Sequence, residues 1–377
     1  MSLPCTGSVK GWLTRTLVFE ITPGKTKNEP SFWGLKVTEN VELKRNIYQA
    51  IRSGDFQIAE DLTLKGMDED FSNPDYEKML KIIKFWQNRT EMFEPGENNG
   101  EKLIEEWDHF LSFCREQRID NKKAVLSIKN YVFYRAIDLL IESYRLSPMP
   151  NRETLILLGQ CFYEVGIVEK AIETLEYAMS IATEDNDVRI YTMLGNLYYE
   201  TGNTDLSMIM FNEAFLKMPQ LVNIDVIEYP AIKNIRKTVL EDGFKDNEIL
   251  EWIPVYGYLY EGLTTRRKIE YDDYMELKEK IIDYEKSLRI DKKVRNIILP
   301  RLVNYYLWLL DYYIYQIGAF ENAEKVVSRI LELLEEVHTS SEARTRLLSR
   351  AHQLLRGILE KKNTSKVTKT AEENMVF

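Results

Sequence analysis

Cysteine and histidine are scarce in this 377-residue chain, with three of each. Cys5, Cys114 and Cys161 stand far apart, a spacing that suggests neither a disulfide framework nor a zinc knuckle and favours a reducing compartment. His109, His338 and His352 fall into no HExxH or HxH pattern, so no metal and no cofactor is expected. Neither GxxxxGKS/T nor GxGxxG is present to cradle a phosphate, and no GxSxG offers a nucleophile elbow. Nowhere do about 18 apolar residues follow one another, which argues against a membrane span. The opening segment is broken by Arg15, and only four residues precede Cys5, too few for the apolar run of a lipoprotein leader. A cytoplasmic protein is expected. Positive charge is in deficit, 50 Lys and Arg against 60 Asp and Glu, giving a net charge of −10 and a pI near 5.2. Non-specific binding to nucleic acid, which draws on Lys and Arg displacing phosphate counterions, is disfavoured, and a basic or neutral partner is easier to accommodate.

What remains has the composition of a soluble folded chain, 44% hydrophobic and 29% charged. Its length exceeds the usual domain of roughly 100–200 residues, so it forms either two domains or something that grows by repetition. Residues 1–38 differ from the rest. Thr16–Thr22, TLVFEIT, has strand composition and is followed by a Pro23-Gly24 turn, and Phe32–Val37 is a short apolar piece that could pair with it as a hairpin. From Val41 the apolar spacing is helical, and we expect a helical domain over 39–360. Beyond it, residues 361–377 are polar and rich in Thr and Lys, the composition of a disordered tail.

Within the helical region one passage is written twice. Ile156–Ile167 reads ILLGQCFYEVGI and Thr192–Asn203 reads TMLGNLYYETGN. Leu158, Gly159, Phe162, Gly166, Ala171, Leu175 and Ala178 return 36 residues later as Leu194, Gly195, Tyr198, Gly202, Ser207, Phe211 and Ala214, and Pro219 closes the second copy. The spacing predicts two helices per copy, joined by a Gly turn, with small residues where the helices approach closely. Weaker echoes fall at Gly54 and Ala59, at Ala124, Ala136, Leu140 and Pro148, and at Leu307, Leu310, Ile314, Gly318, Ala323, Val327 and Ile330. Between Leu221 and Pro300 the register is lost, although Trp252–Gly262 looks like a damaged first helix. Thr339-Ser340-Ser341-Glu342 is a capping-box signature opening a last helix.

The duplicated unit resembles the tetratricopeptide repeat, a helix–turn–helix of about 34 residues, most strongly over 152–219. The resemblance implies an all-α superhelix whose first helices line a concave groove, and a non-catalytic scaffold that binds a protein or peptide segment there. The groove positions would be Glu153, Ile156, Gln160 and Tyr163 in the first copy and Arg189, Thr192, Asn196 and Tyr199 in the second. Some family members clamp a chaperone's C-terminal carboxylate with a Lys and an Asn one turn apart; Asn196 fits the Asn, but Thr192 stands in place of the Lys. Tyr305, Trp308, Tyr312 and Tyr315 in NYYLWLLDYYIYQIG form an aromatic stripe expected either to face the groove as partner anchors or to be covered by the last helix. No catalytic set is found. His109 and Cys114 lie on different helical faces, and acidic pairs such as Glu105-Glu106 belong to solvated faces. The competing expectation is an enzyme or small-molecule binder with a pocket in the irregular 221–300 region.

Overall fold

The computed structural model describes residues 35–374 apart from 97, 147–150, 182–186, 246 and 291–293. The described residues hold fifteen α-helices and no strand. The strand-like Thr16–Thr22 lies outside the described residues. Its expected partner is not extended where it is described, because the first helix already begins at Leu35. The chain divides into two units at Ile181/Ala182.

In the first unit α1 (Leu35–Ser53) and α2 (Phe56–Glu69) pair through a turn at Gly54, whose φ of +80° is the left-handed backbone that glycine adopts without cost. The ring of Tyr131 lies where a Cβ on Gly54 would stand. Helix α3 (Pro74–Gln87) is opened by Asn73, whose side chain accepts from the Asp75 amide, and α4 (Asn99–Glu116) packs on α5 (Lys122–Leu146). The core here is aromatic: Trp86 is fully buried, with Phe110 at 5.4 Å and Phe93 at 5.8 Å between ring centroids. Helices α6 (Arg152–Glu164) and α7 (Val168–Ser180) form the first copy of the repeat, turning at Gly166 with φ +75°. One expected unit is absent. Ala124 and Ala136 do not fall on two helices; both are buried on the single helix α5, which contains no Gly or Pro to break it. Tyr131 occupies the position where the turn Gly of a repeat would fall.

In the second unit α8 (Val188–Glu200) and α9 (Thr204–Lys217) form the other copy, turning at Gly202 with φ +78°. Two short 3-10 turns, Pro219–Leu221 and Ile224–Val226, replace any further repeat and lead to α10 (Pro230–Glu241). Helix α11 (Asn247–Leu259) packs against α9, α10, α13 (Arg295–Asp311) and α15 (Ser341–Asn374), so every residue from Glu251 to Leu259 is buried and its sequence shows no polar face. Residues 260–270 then run without helix to α12 (Tyr271–Ile290), which packs on α13. The third helix–turn–helix echo is present: α13 extends through a π-turn at Tyr312–Gln316, the chain reverses at Gly318 with φ +66°, and α14 (Phe320–Glu335) buries Ala323, Val327 and Ile330. The last helix is capped by Ser340, which accepts from the Ala343 amide, while the Thr339 hydroxyl donates to the Asp242 carbonyl. Helix α15 continues to Asn374. After Gly357 the chain has no Gly or Pro to stop the helix, and Lys, Glu and Ala sustain it.

The repeat spacing has a direct cause in the helix pairs. A Cβ on Gly159 would stand 2.6 Å from Leu175, and one on Gly195 would stand 2.7 Å from Phe211. Ser207 adds a hydrogen bond across its pair, its hydroxyl donating to the Gly195 carbonyl at 2.8 Å. Small residues at these positions therefore set the distance between the two helices of each copy.

Candidate functional site

The residues expected to line a groove on α8 meet the chain itself. Asn196, 1% exposed, donates from its amide to the Val226 carbonyl at 2.7 Å and accepts from the Glu228 amide at 2.8 Å. This two-bond grip on an extended backbone suits a peptide clamp, but the peptide is residues 226–228 of the same chain. Burial of Val222 and Ile227 on the core holds that segment in place. Thr192 is 5% exposed and donates its hydroxyl to the Val188 carbonyl, so neither Thr192 nor Asn196 is open to a partner. Tyr199 is half-buried against Tyr229 at 5.2 Å. Arg189 is exposed and folds back onto its own N-cap residue Asp187. On α6, Ile156 is buried, Gln160 and Tyr163 are half-buried and Glu153 is exposed.

A second segment is gripped in the same manner. Asn212 donates to the Thr265 carbonyl at 2.8 Å, and Gln316 both donates to the Ile269 carbonyl and accepts from its amide, each at 2.9 Å. Between these anchors Arg266 turns inward. Its Nη1 donates to Asp311 at 2.7 Å, and Tyr258 donates to the other oxygen of that carboxylate at 2.7 Å. The guanidinium also lies over the rings of Tyr258 and Trp308, at 4.5 and 5.1 Å from their centroids. Arg267 turns the other way, to Glu213 at 2.6 Å and Asp273 at 2.5 Å. Burial pushes the Asp311 and Glu213 carboxyls up from their ordinary values, against the opposing pull of Arg266 and Arg267. Asp311 thus replaces the small residue of the first-helix pattern and uses the space for a buried ion pair. The Nε and Nη2 of Arg266 and the Nε1 of Trp308 are buried without a hydrogen-bond partner.

The aromatic stripe divides. Tyr305 and Trp308, 3% and 1% exposed, are core residues covered by neighbouring helices and are not partner anchors. Tyr312 is half-buried and Tyr315 is 56% exposed. Both lie in the π-turn that follows α13, where Tyr313 and Ile314 are buried. The start of α12 adds further rings. Tyr274 stacks on Tyr312 at 4.5 Å, and Tyr271, 68% exposed, lies 6.3 Å from Tyr274. Ile317 is 52% exposed beside them in sequence. Helix α12 lies outside the repeat pattern, and the pair Tyr271 and Tyr274, three apart, is the only sequence sign of its contribution to this surface.

Among the described residues no group of His, Cys, Asp or Glu is arranged to hold a metal ion. His109 is exposed beside Glu106, while Cys114 is buried, its thiol pushed up to about 11 by burial. No described helix is long and apolar enough to cross a membrane. Compared with family models, curated proteins and solved structures, the chain matches none.

Proposed function

We propose that this chain is a non-catalytic cytoplasmic interaction protein of tetratricopeptide-repeat type, which binds a protein or peptide segment through the tyrosine surface of Tyr271, Tyr274, Tyr312 and Tyr315. The observation that carries the reading is the exposure of Tyr271 at the start of α12 and of Tyr315 in the π-turn, with Tyr274 and Tyr312 half-buried and stacked on each other. Tyrosine joins a broad apolar face to a hydroxyl that hydrogen-bonds, which makes it a frequent anchor in protein interfaces. Site-specific photo-crosslinking in the native host tests the reading. With benzoylphenylalanine at Tyr315 a discrete protein adduct is expected, absent when the probe replaces the more exposed Phe71. Equal labelling at both positions, or none at Tyr315, refutes the proposal.

The unpartnered donors of Arg266 and Trp308 favour a second reading, an anionic small molecule bound beside the 260–270 segment. It would show as stabilisation by a carboxylate ligand that is lost in Arg266→Lys.

A further inference from the structure

A different surface, in the first unit, has the features of a receptor for a charged helix or peptide. The C-terminal half of α4 and the N-terminal half of α5 border a groove of about 840 Å³. Helix α4 and the residue after its cap contribute Leu111, Cys114, Arg115 and Arg118, spaced by three, one and three; α5 contributes Lys122, Val125, Leu126 and Lys129 at the same spacing. Each side therefore offers one helical stripe to the same space. The floor is aliphatic and uncharged at neutral pH, with the Cys114 thiol pushed up to about 11, and Leu126 stands 57% exposed.

The rim carries the opposite chemistry to the rest of the chain. Lys129 is matched by Glu164 and Asp120 by Lys78, each at 2.5 Å. Arg115, Arg118 and Lys122 are exposed, and among the described residues no carboxylate pairs with any of them. Arg115 donates only to the Ser112 hydroxyl, at 3.1 Å. Three unmatched cations thus gather around an apolar floor in a chain whose net charge is −10. Spread over both sides of the groove, they match a row of carboxylates better than a single anionic headgroup. The floor has no aromatic ring on which a nucleic-acid base could stack.

We propose that this groove binds an acidic amphipathic segment of a partner protein, with its apolar side chains on Leu111, Val125 and Leu126 and its carboxylates against Arg115, Arg118 and Lys122. The occupant's being a protein segment rests on the interaction-protein reading above; the surface itself is separate from the tyrosines. Complementary charge of this kind chiefly sets association rate and partner choice, while the apolar contacts hold the complex.

The test uses the full chain and a fluorescein-labelled peptide of about 15 residues, with Leu at alternating three- and four-residue spacing and Glu between, read by anisotropy. Binding should weaken with salt. It should weaken about tenfold or more in Arg118→Glu/Lys122→Glu, and similarly in Leu126→Ser, with melting temperatures unchanged because all three side chains are exposed. A matched peptide with Lys in place of Glu should bind at least about tenfold more weakly. Equal affinity for the two peptides, indifference to the charge reversal, or no binding of the Glu peptide would overturn the proposal. So would dodecanoate binding in the groove in place of the peptide, which would make it a site for a single-headed anionic amphiphile. Tyr315→Ala should leave peptide affinity intact, so loss of crosslinking at Tyr315 with normal peptide binding separates failure of the first reading from failure of this one.

Discussion

Replacing Gly195 by Ala would place a Cβ 2.7 Å from Cε1 and Cζ of Phe211, a ring with no solvent exposure. On an open helix face the same change stabilises by about 1 kcal/mol, because Ala loses less backbone freedom than Gly. Here the methyl meets ring carbon well inside van der Waals contact, and forcing a group into a filled core costs about 1–3 kcal/mol. The net expectation is a loss of about 0–2 kcal/mol, and a larger loss for Gly195→Leu. Phe211→Leu shortens the obstructing side chain at a cavity cost of about 1 kcal/mol. In the double variant the methyl should then be tolerated, giving a favourable coupling of about 1 kcal/mol between the two sites. Urea unfolding of the four proteins of this cycle, followed by tryptophan fluorescence, measures it. Gly202→Ala is the comparison: nothing lies within 4 Å of the added atom, and the cost of about 1 kcal/mol comes only from its φ of +78°, so Phe211→Leu should not relieve it. Stabilisation by Gly195→Ala, or strict additivity with Phe211→Leu, would refute the close helix pairing.

Trp308→Ala should cost about 3–5 kcal/mol, the loss expected for emptying a buried indole, and a variant that melts normally would return this residue to the surface. Asn196→Ala should cost about 1–3 kcal/mol and speed hydrogen exchange at the Glu228 amide, which it leaves without an acceptor; unchanged protection there would show that the segment is held by its apolar contacts alone. Burial opposes ionisation of Glu285, but Arg329 and Tyr306 hydrogen-bond its carboxylate and hold it below the ordinary glutamate value. A depressed folded-state pKa contributes stability that is present above the unfolded value, near pH 4.3, and is lost as the pH falls below it. Glu285→Gln should therefore destabilise by about 1–2 kcal/mol at pH 7 and by less near pH 3, as compared by urea midpoints; an equal deficit at both would refute the sign.

The helical class and the two repeat copies were legible because they depend on local rules. Gly159, Gly166, Gly195 and Gly202 recur at one period, and each does what its residue type predicts: the first of each pair admits a neighbouring helix, and the second reverses the chain. The same template misread α5, since Ala124 and Ala136 keep the small-residue spacing whether or not a turn lies between them. Only the lack of a breaker distinguished one helix from two.

The candidate sites depended on non-local packing. The sequence by itself determined the helical class and which glycines of the two repeat copies turn the chain. It placed Asn196 at a first-helix position expected to line a groove. Tertiary structure decided what Asn196 holds, because residues 226–228 return to it from 30 positions away and take both of its amide hydrogen bonds. It also decided which aromatics of the stripe face solvent: Tyr305 and Trp308 are covered by packing, whereas Tyr315 is left exposed. The basic groove of the first unit arises likewise from two stripes on separate helices, each unremarkable in sequence until packing sets them face to face.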